Sequence, residues 1–275
     1  MRSIKRTRAL FLFIPFLLLA AVDSNDDLYV QDGLIEPFDS VEIGAPVDGL
    51  IDTMAVDRGD QVMPGQVLAQ LESSLERAQA KIAAARAAST SEEAVAQTRL
   101  ELAKQRFKRF DGLYREKVVS LDDWEEADAE RRLAEHALTR AGENRVMNEL
   151  ELERANAVLG MRTIRSPIQG VVTERVLSPG EVVYRTNQKP IFRLAQIDPL
   201  RVEVIAPIEL LGKVKVGDTA EILPQAPAGG SYSAKVTVVD TVIDAASGTF
   251  GIRLELPNPE LTIPAGLQCR VRFGH

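Results

Sequence analysis

Side chains that commonly carry chemistry are scarce in this chain of 275 residues: two histidines, His136 and His275, and one cysteine, Cys269. His136 sits among charged residues in a helical stretch and His275 is the last residue, so both read as solvated groups. A hydrolytic triad or a His-rich metal centre therefore lacks its parts. A single cysteine excludes an internal disulfide, a thiolate metal cluster and a CxxC redox pair. In a strand-like run near the C-terminus, Cys269 reads as a small apolar side chain. Met54, Met63, Met147 and Met161 are scattered rather than clustered, which gives a soft-metal relay little support. The chain is therefore expected not to be an enzyme, with no catalytic, cofactor-binding or metal-binding residues and no cofactor.

Apolar and charged content are near the average of soluble proteins, while the net charge is −7 and the pI about 5.1. That field repels phosphate backbones, so nucleic acid is not an expected partner. Arg2, Lys5, Arg6 and Arg8 precede an apolar run from Ala9 to Val22, which Asp23, Asp26 and Asp27 close. This is the layout of an export signal, shorter than the ~20 residues a spanning helix needs. Cleavage after Ala21 would put Leu19 where a small residue is usual, so a short uncleaved inner-membrane anchor stays open beside a cleaved signal. In both cases the positive cluster stays inside and the rest of the chain lies outside the cytoplasm.

The elements that follow are organised around an internal repeat. APVDGLIDTMAVDRGDQV from Ala45 and SPIQGVVTERVLSPGEVV from Ser166 superpose at an offset of 121 residues, matching Pro46 with Pro167, Gly49 with Gly170, Val56 with Leu177, Gly59 with Gly180 and Asp60 with Glu181. Each copy alternates apolar and polar residues as a strand does and turns at Gly followed by an acidic residue. A second short strand follows each, Val67 to Leu71 and Ile191 to Leu194. Isolated hairpins are marginal, so the halves are expected to face one another in a small β-sandwich.

Residues 73 to 160 contain no proline. Leu75, Ala78, Ile82, Ala85, Ser89 and Glu92 alternate steps of three and four, and the pattern resumes one residue out of phase as Ala96, Leu100, Ala103, Phe107, Phe110 and Tyr114. Beyond a break at Lys117 to Asp123, the same alternation runs from Trp124 through Ala127, Arg131, Ala134, Leu138 and Ala141 to Leu159. A seam repeating every ~3.5 residues predicts an antiparallel coiled-coil hairpin. Its phase slip near Ser89 to Glu92 predicts a stutter, and Ser120 offers the cap of the second helix. Such a hairpin returns the chain to its starting point, as the split sandwich requires. From Leu200 the strand alternation returns in LRVEVIAP, TAEILP, YSAKVTVVDTV, TFGIRLELP and LQCRVRF, with one helical interruption around Ile208 to Lys213, predicting a small antiparallel barrel.

This order of half-sandwich, helical hairpin, half-sandwich and barrel resembles the periplasmic adaptor subunits, or membrane fusion proteins, of the HlyD type, over about residues 28 to 275. The fold class is thus expected to be α+β: a split biotinyl/lipoyl-like β-sandwich interrupted by a long antiparallel coiled-coil α-hairpin, followed by a small antiparallel β-barrel. The expected division is a signal or anchor over 1–22, an N-terminal segment over 23–40, sandwich halves over 41–72 and 163–198, the hairpin over 73–162 and the barrel over 199–275. Unlike true biotinyl or lipoyl carriers, the chain has Ser73-Ser74-Leu75 where a modified lysine would stand, and Lys81 already lies in the coiled coil.

The resemblance implies a non-enzymatic adaptor in the periplasm, associated with the inner membrane, linking an inner-membrane efflux pump, of RND type first and of ABC or type I secretion type as the alternative, to a TolC-like outer-membrane channel. It implies a homo-oligomeric ring, often of six protomers. Adaptors that dock on such channels are similar in carrying an Arg, a Leu four residues on and a Ser seven beyond, which here are Arg109, Leu113 and Ser120, with Trp124 and Glu125 as a displaced following pair. A guanidinium supplies a fork of donors and a leucine a small desolvated anchor. The ordinary readings are a solvated helix residue for Arg109, a seam residue for Leu113 and a helix cap for Ser120. From other classes, a biotinyl/lipoyl carrier protein and a coiled-coil envelope scaffold remain as alternatives.

Overall fold

A computed structural model describes residues 29–187 and 189–274. The expected signal or anchor and His275 lie outside the described residues. The chain divides into two units, one made of the stretch up to Ile35, Val202–Leu256 and Leu267 onward, the other of Glu36–Arg201 and Pro257–Gly266.

In the second unit the halves meet as the repeat requires. Strands β2 (Gly49–Met54), β3 (Gln61–Val62) and β4 (Val67–Leu71) come from the first half. Strands β5 (Thr163–Arg165), β6 (Gly170–Arg175) and β7 (Val182–Val183) come from the second. β2 pairs with β7, β3 with β6 and β4 with β5, all antiparallel. The 121-residue offset exchanges these bonds: Ile51 N–H donates to the Glu181 carbonyl and Val172 N–H to the Asp60 carbonyl, both at 2.9 Å. Likewise Gly180 N–H reaches the Ile51 carbonyl and Gly59 N–H the Val172 carbonyl, again at 2.9 Å.

The turns obey the same pseudo-twofold. Gly59 at φ +94° and Gly180 at φ +86° take the left-handed conformation that favours glycine. The carboxylates that follow accept from backbone N–H groups three residues back, Asp57 to Asp60 at 2.8 Å and Ser178 to Glu181 at 2.7 Å. One apolar core joins both halves, with Ile51, Val62, Leu68 and Leu71 against Val172, Leu177, Val183 and Leu194.

The helical insertion comprises α1 (Ser74–Ala87), α2 (Ser91–Arg115) and α3 (Leu121–Gly160). At 40 residues α3 is about 60 Å long. Its inward positions follow the predicted seam: Ala127 and Ala141 are buried, and Trp124, Ala134, Leu138, Leu152, Ala155 and Leu159 are half-buried. α2 agrees, burying Ala96, Leu100 and Ala103.

The first turns do not follow the prediction. α1 buries Glu76, Ala80 and Ala83, while Leu75 and Ile82 face solvent. The rotation is set by the Glu76 carboxylate, which meets the Arg162 guanidinium at 2.6 Å, and Arg162 also donates to the Asp48 carbonyl at 2.9 Å. A polar anchor thus takes the position that size alone would give to leucine. The predicted stutter is an actual interruption at 88–90: Ala88 N–H closes the last turn on Ala84, and Ala94 N–H opens the next on Thr90. Breaking one helix lets both of its segments keep their inward faces on the unbroken α3.

The first unit is a closed six-stranded antiparallel barrel. Its strands are β9 (Thr219–Pro224), β10 (Tyr232–Val239), β11 (Thr249–Leu256), β12 (Leu267–Phe273), and the segments of β1 (Tyr29–Ile43) and β8 (Phe192–Pro207) that fall in this unit. The order is β1-β12-β9-β10-β11-β8, closed by pairing of β8 with β1. Alternate residues fill it, among them Val202, Val204, Ile222, Val236, Ile252, Leu254 and Val271. Cys269 is one of them; burial first, then the neighbouring charge of Asp32, pushes its thiol up to about 11. The barrel was expected from residues 199–275, with 23–40 as a separate segment. In the structure Tyr29 to Ile35 supply a strand, pairing in register from Tyr29 opposite Phe273 to Ile35 opposite Leu267.

Candidate docking tip

The hairpin turn is built by two complementary caps. At the end of α2, Lys117 takes φ +59°, its N–H donates to the Tyr114 carbonyl at 2.9 Å, and Val118 N–H donates to Leu113 at 2.8 Å. This is a Schellman closure with lysine where glycine is usual. At the start of α3, the Ser120 hydroxyl accepts from Asp123 N–H at 3.2 Å and donates to the Asp123 carboxylate at 2.5 Å, while Ser120 N–H donates to the same carboxylate at 3.2 Å. These bonds form a capping box. The side-chain bond first, and then the backbone bond, hold the Asp123 carboxyl below its ordinary range.

Behind the turn an aromatic cluster ties the arms together. The Trp124 ring lies 5.8 Å from both Phe107 and Tyr114, and its indole N–H donates to Asp111 Oδ1 at 3.2 Å. Arg131 stacks over Phe107 at 5.2 Å. Trp124 therefore faces α2. Phe107, Tyr114 and Arg131 were legible as seam positions, whereas Asp111 as the acceptor of the Trp124 indole was not, because its partner lies across a turn whose geometry had to be known first.

Arg109 and Leu113 stand one turn apart on the same face of α2, both exposed. The neighbouring cations Arg106 and Arg115 are engaged, Arg106 with Glu130 at 2.5 Å and Arg115 with Asp111 at 2.8 Å. Among the described residues Arg109 has no hydrogen-bond or ion-pair partner. Ser120 is exposed, with its hydroxyl committed to the cap. The tip thus brings a free guanidinium, an uncovered leucine and a capped serine to one end of the hairpin, and it keeps Trp124 inside. Among the described residues no group of three or more His, Cys, Asp or Glu side chains is placed to hold a metal ion, and no helix is long and apolar enough to cross a membrane.

A split lipoyl-like sandwich interrupted by a coiled-coil hairpin, together with a closed barrel, is the fold of the adaptor class. The chain belongs to the periplasmic adaptor, or membrane fusion protein, family: residues 39–196 match the CzcB-like barrel-sandwich hybrid domain and residues 200–275 the CusB-like β-barrel domain. A UPF0194 membrane protein from Yersinia enterocolitica is 24% identical over 98% of each chain. The cobalt-zinc-cadmium resistance protein CzcB from Cupriavidus metallidurans is 24% identical over 80% of this chain, which spans only 39% of that relative. Among solved structures, MacA from Actinobacillus actinomycetemcomitans superposes with a TM-score of 0.74 at 26% identity, covering 90% of this chain and 79% of that one.

Proposed function

We propose that the chain is a periplasmic adaptor that joins an inner-membrane transporter of RND type to a TolC-like outer-membrane channel, so that small molecules are exported past the periplasm. Copies stand side by side as a ring, of six in the family's usual arrangement, and the hairpin tips engage the channel through Arg109, Leu113 and Ser120. Trp124 acts by holding the two arms in register behind them. The observation that carries this reading is Arg109: an unpaired guanidinium at the tip, where adjacent arginines are neutralised, is set to receive acceptors from another molecule. The name of the relative CzcB adds divalent cobalt, zinc and cadmium to organic dyes as cargo worth testing.

Complementation of a deletion strain tests the reading. Arg109→Asp is expected to leave tolerance of dyes and of these cations at the level of the deletion, with protein abundance and melting unchanged, and Arg109→Lys to restore it only partly because the fork of donors is lost. Full tolerance with Arg109→Asp removes the docking assignment.

A further inference from the structure

One end of the barrel is apolar on its outside. β8 ends at Pro207 and β9 begins at Thr219, while β10 ends at Val239 and β11 begins at Thr249. The antiparallel registers Lys235 opposite Thr219 and Val239 opposite Ile252 put the connections 208–218 and 240–248 at the same end. Ile208 N–H stitches them together by donating to the Gly248 carbonyl at 3.1 Å. Leu210 and Val214 turn inward and are buried. Ile208, Leu211, Val216 and Val242 point outward, Val216 at 64% and Val242 at 80% exposure. Single exposed aliphatics are unremarkable, but four on two linked connections mark a contact surface.

The path of the chain points to what covers it. Phe273 pairs with both Ala220 and Tyr29, so β1 begins at this same end. Residues 23–28 alone separate Tyr29 from the apolar run Ala9–Val22, and six residues reach at most about 20 Å. A run shorter than a spanning helix draws its flank toward the lipid interface. We infer that the connections 208–218 and 240–248 rest in the interfacial zone of the bilayer that holds residues 9–22, with Val216 and Val242 inserted among the lipids. Lys213 and Lys215 stand beside Glu209, Asp218, Asp240 and Asp244 at this end, so no net cationic field favours anionic headgroups. The contact is apolar and should be insensitive to salt. It rests on residues 9–22 staying in the protein and is independent of what the hairpin tip binds.

The full chain, reconstituted in vesicles of phosphatidylethanolamine and phosphatidylglycerol, tests the inference with Trp124→Phe as background and one new fluorophore per variant. Val216→Trp and Val242→Trp are expected to emit further to the blue and to be quenched by vesicles with brominated acyl chains, at low and high salt alike. Ala228→Trp, in the β9–β10 connection at the other end of the barrel, should stay unquenched. Unchanged thermal melts show that the variants fold, since the tested positions lie outside the core. Emission from 216 and 242 that matches that from 228 overturns the inference, as does quenching lost at high salt or a shift that needs added solubilised membrane protein. A mass spectrum of the protein from cell envelopes showing cleavage after Ala21 also overturns it.

Discussion

Replacing Arg162 with alanine removes the bridge that fixes the base of the hairpin. The Arg162 side chain is 22% exposed and that of Glu76 only 10%, with 2.6 Å between their charged atoms. Truncating one partner of a fully buried pair costs about 3–5 kcal/mol, chiefly because the other charge is left without compensation. Residual exposure of the arginine lowers this to about 2–3 kcal/mol, and loss of the 2.9 Å bond to the Asp48 carbonyl adds about 1 kcal/mol. The total of about 3–4 kcal/mol predicts a fall in Tm of about 6–16 °C for a body of this size. Calorimetry with urea unfolding followed by circular dichroism measures it. The paired change Glu76→Leu with Arg162→Met removes both charges and keeps the volume, so it should recover most of the loss. A single variant within about 0.5 kcal/mol of the parent, or a double variant no better than Arg162→Ala, would show that this pair does not set the rotation of α1.

Two further outcomes concern the tip. Lys117→Gly relieves the left-handed backbone at φ +59° and should stabilise the hairpin by about 0.5–1 kcal/mol, read as a higher urea midpoint with unchanged slope. Because the folded-state pKa of Asp123 is depressed, its capping contribution is present above the unfolded carboxyl pKa and is lost as pH falls through the folded value. The helicity deficit of Ser120→Ala against the parent should therefore be constant near neutrality and shrink in acid to the part owed to the hydroxyl accepting from Asp123 N–H; a deficit unchanged below the folded pKa would contradict the role given to the Asp123 carboxylate.

How much of this was legible in sequence depended on whether a pattern carried its own partner. The 121-residue repeat did: Gly59 and Gly180, and the acids after them, had to be equivalent because the hydrogen bonds they frame exchange under the same offset. The offset fails only later, where Ile51 pairs with Leu71 but Val172 with Leu194, two residues further on. The α3 seam was equally plain, since a continuous helix keeps its phase from Trp124 to Leu159. α1 was misread because Leu75 and Ile82 are the large apolar residues, while the buried positions belong to two alanines and a glutamate whose arginine lies 86 residues away. The N-terminal segment was set apart from the barrel for a related reason: its partner strand lies at the other end of the chain, and only the register with Leu267 to Phe273 reveals Tyr29 to Ile35 as a wall of the barrel. Of the residues proposed for docking, types and spacing were visible for all four, and the inward direction of Trp124 was already given by its place at the head of the α3 seam, which the aromatic cluster bears out.

The measurement that bears most directly on an adaptor role is photo-crosslinking in intact cells from a diazirine-bearing residue at Leu113, with the same residue at Leu133 on α3 as the comparison. Crosslinks from 113 to an outer-membrane channel, lost with Arg109→Asp and absent from 133, are the expected result. Equal labelling of the channel from both positions, or crosslinks from 113 to copies of this chain alone, would contradict docking through the hairpin tip.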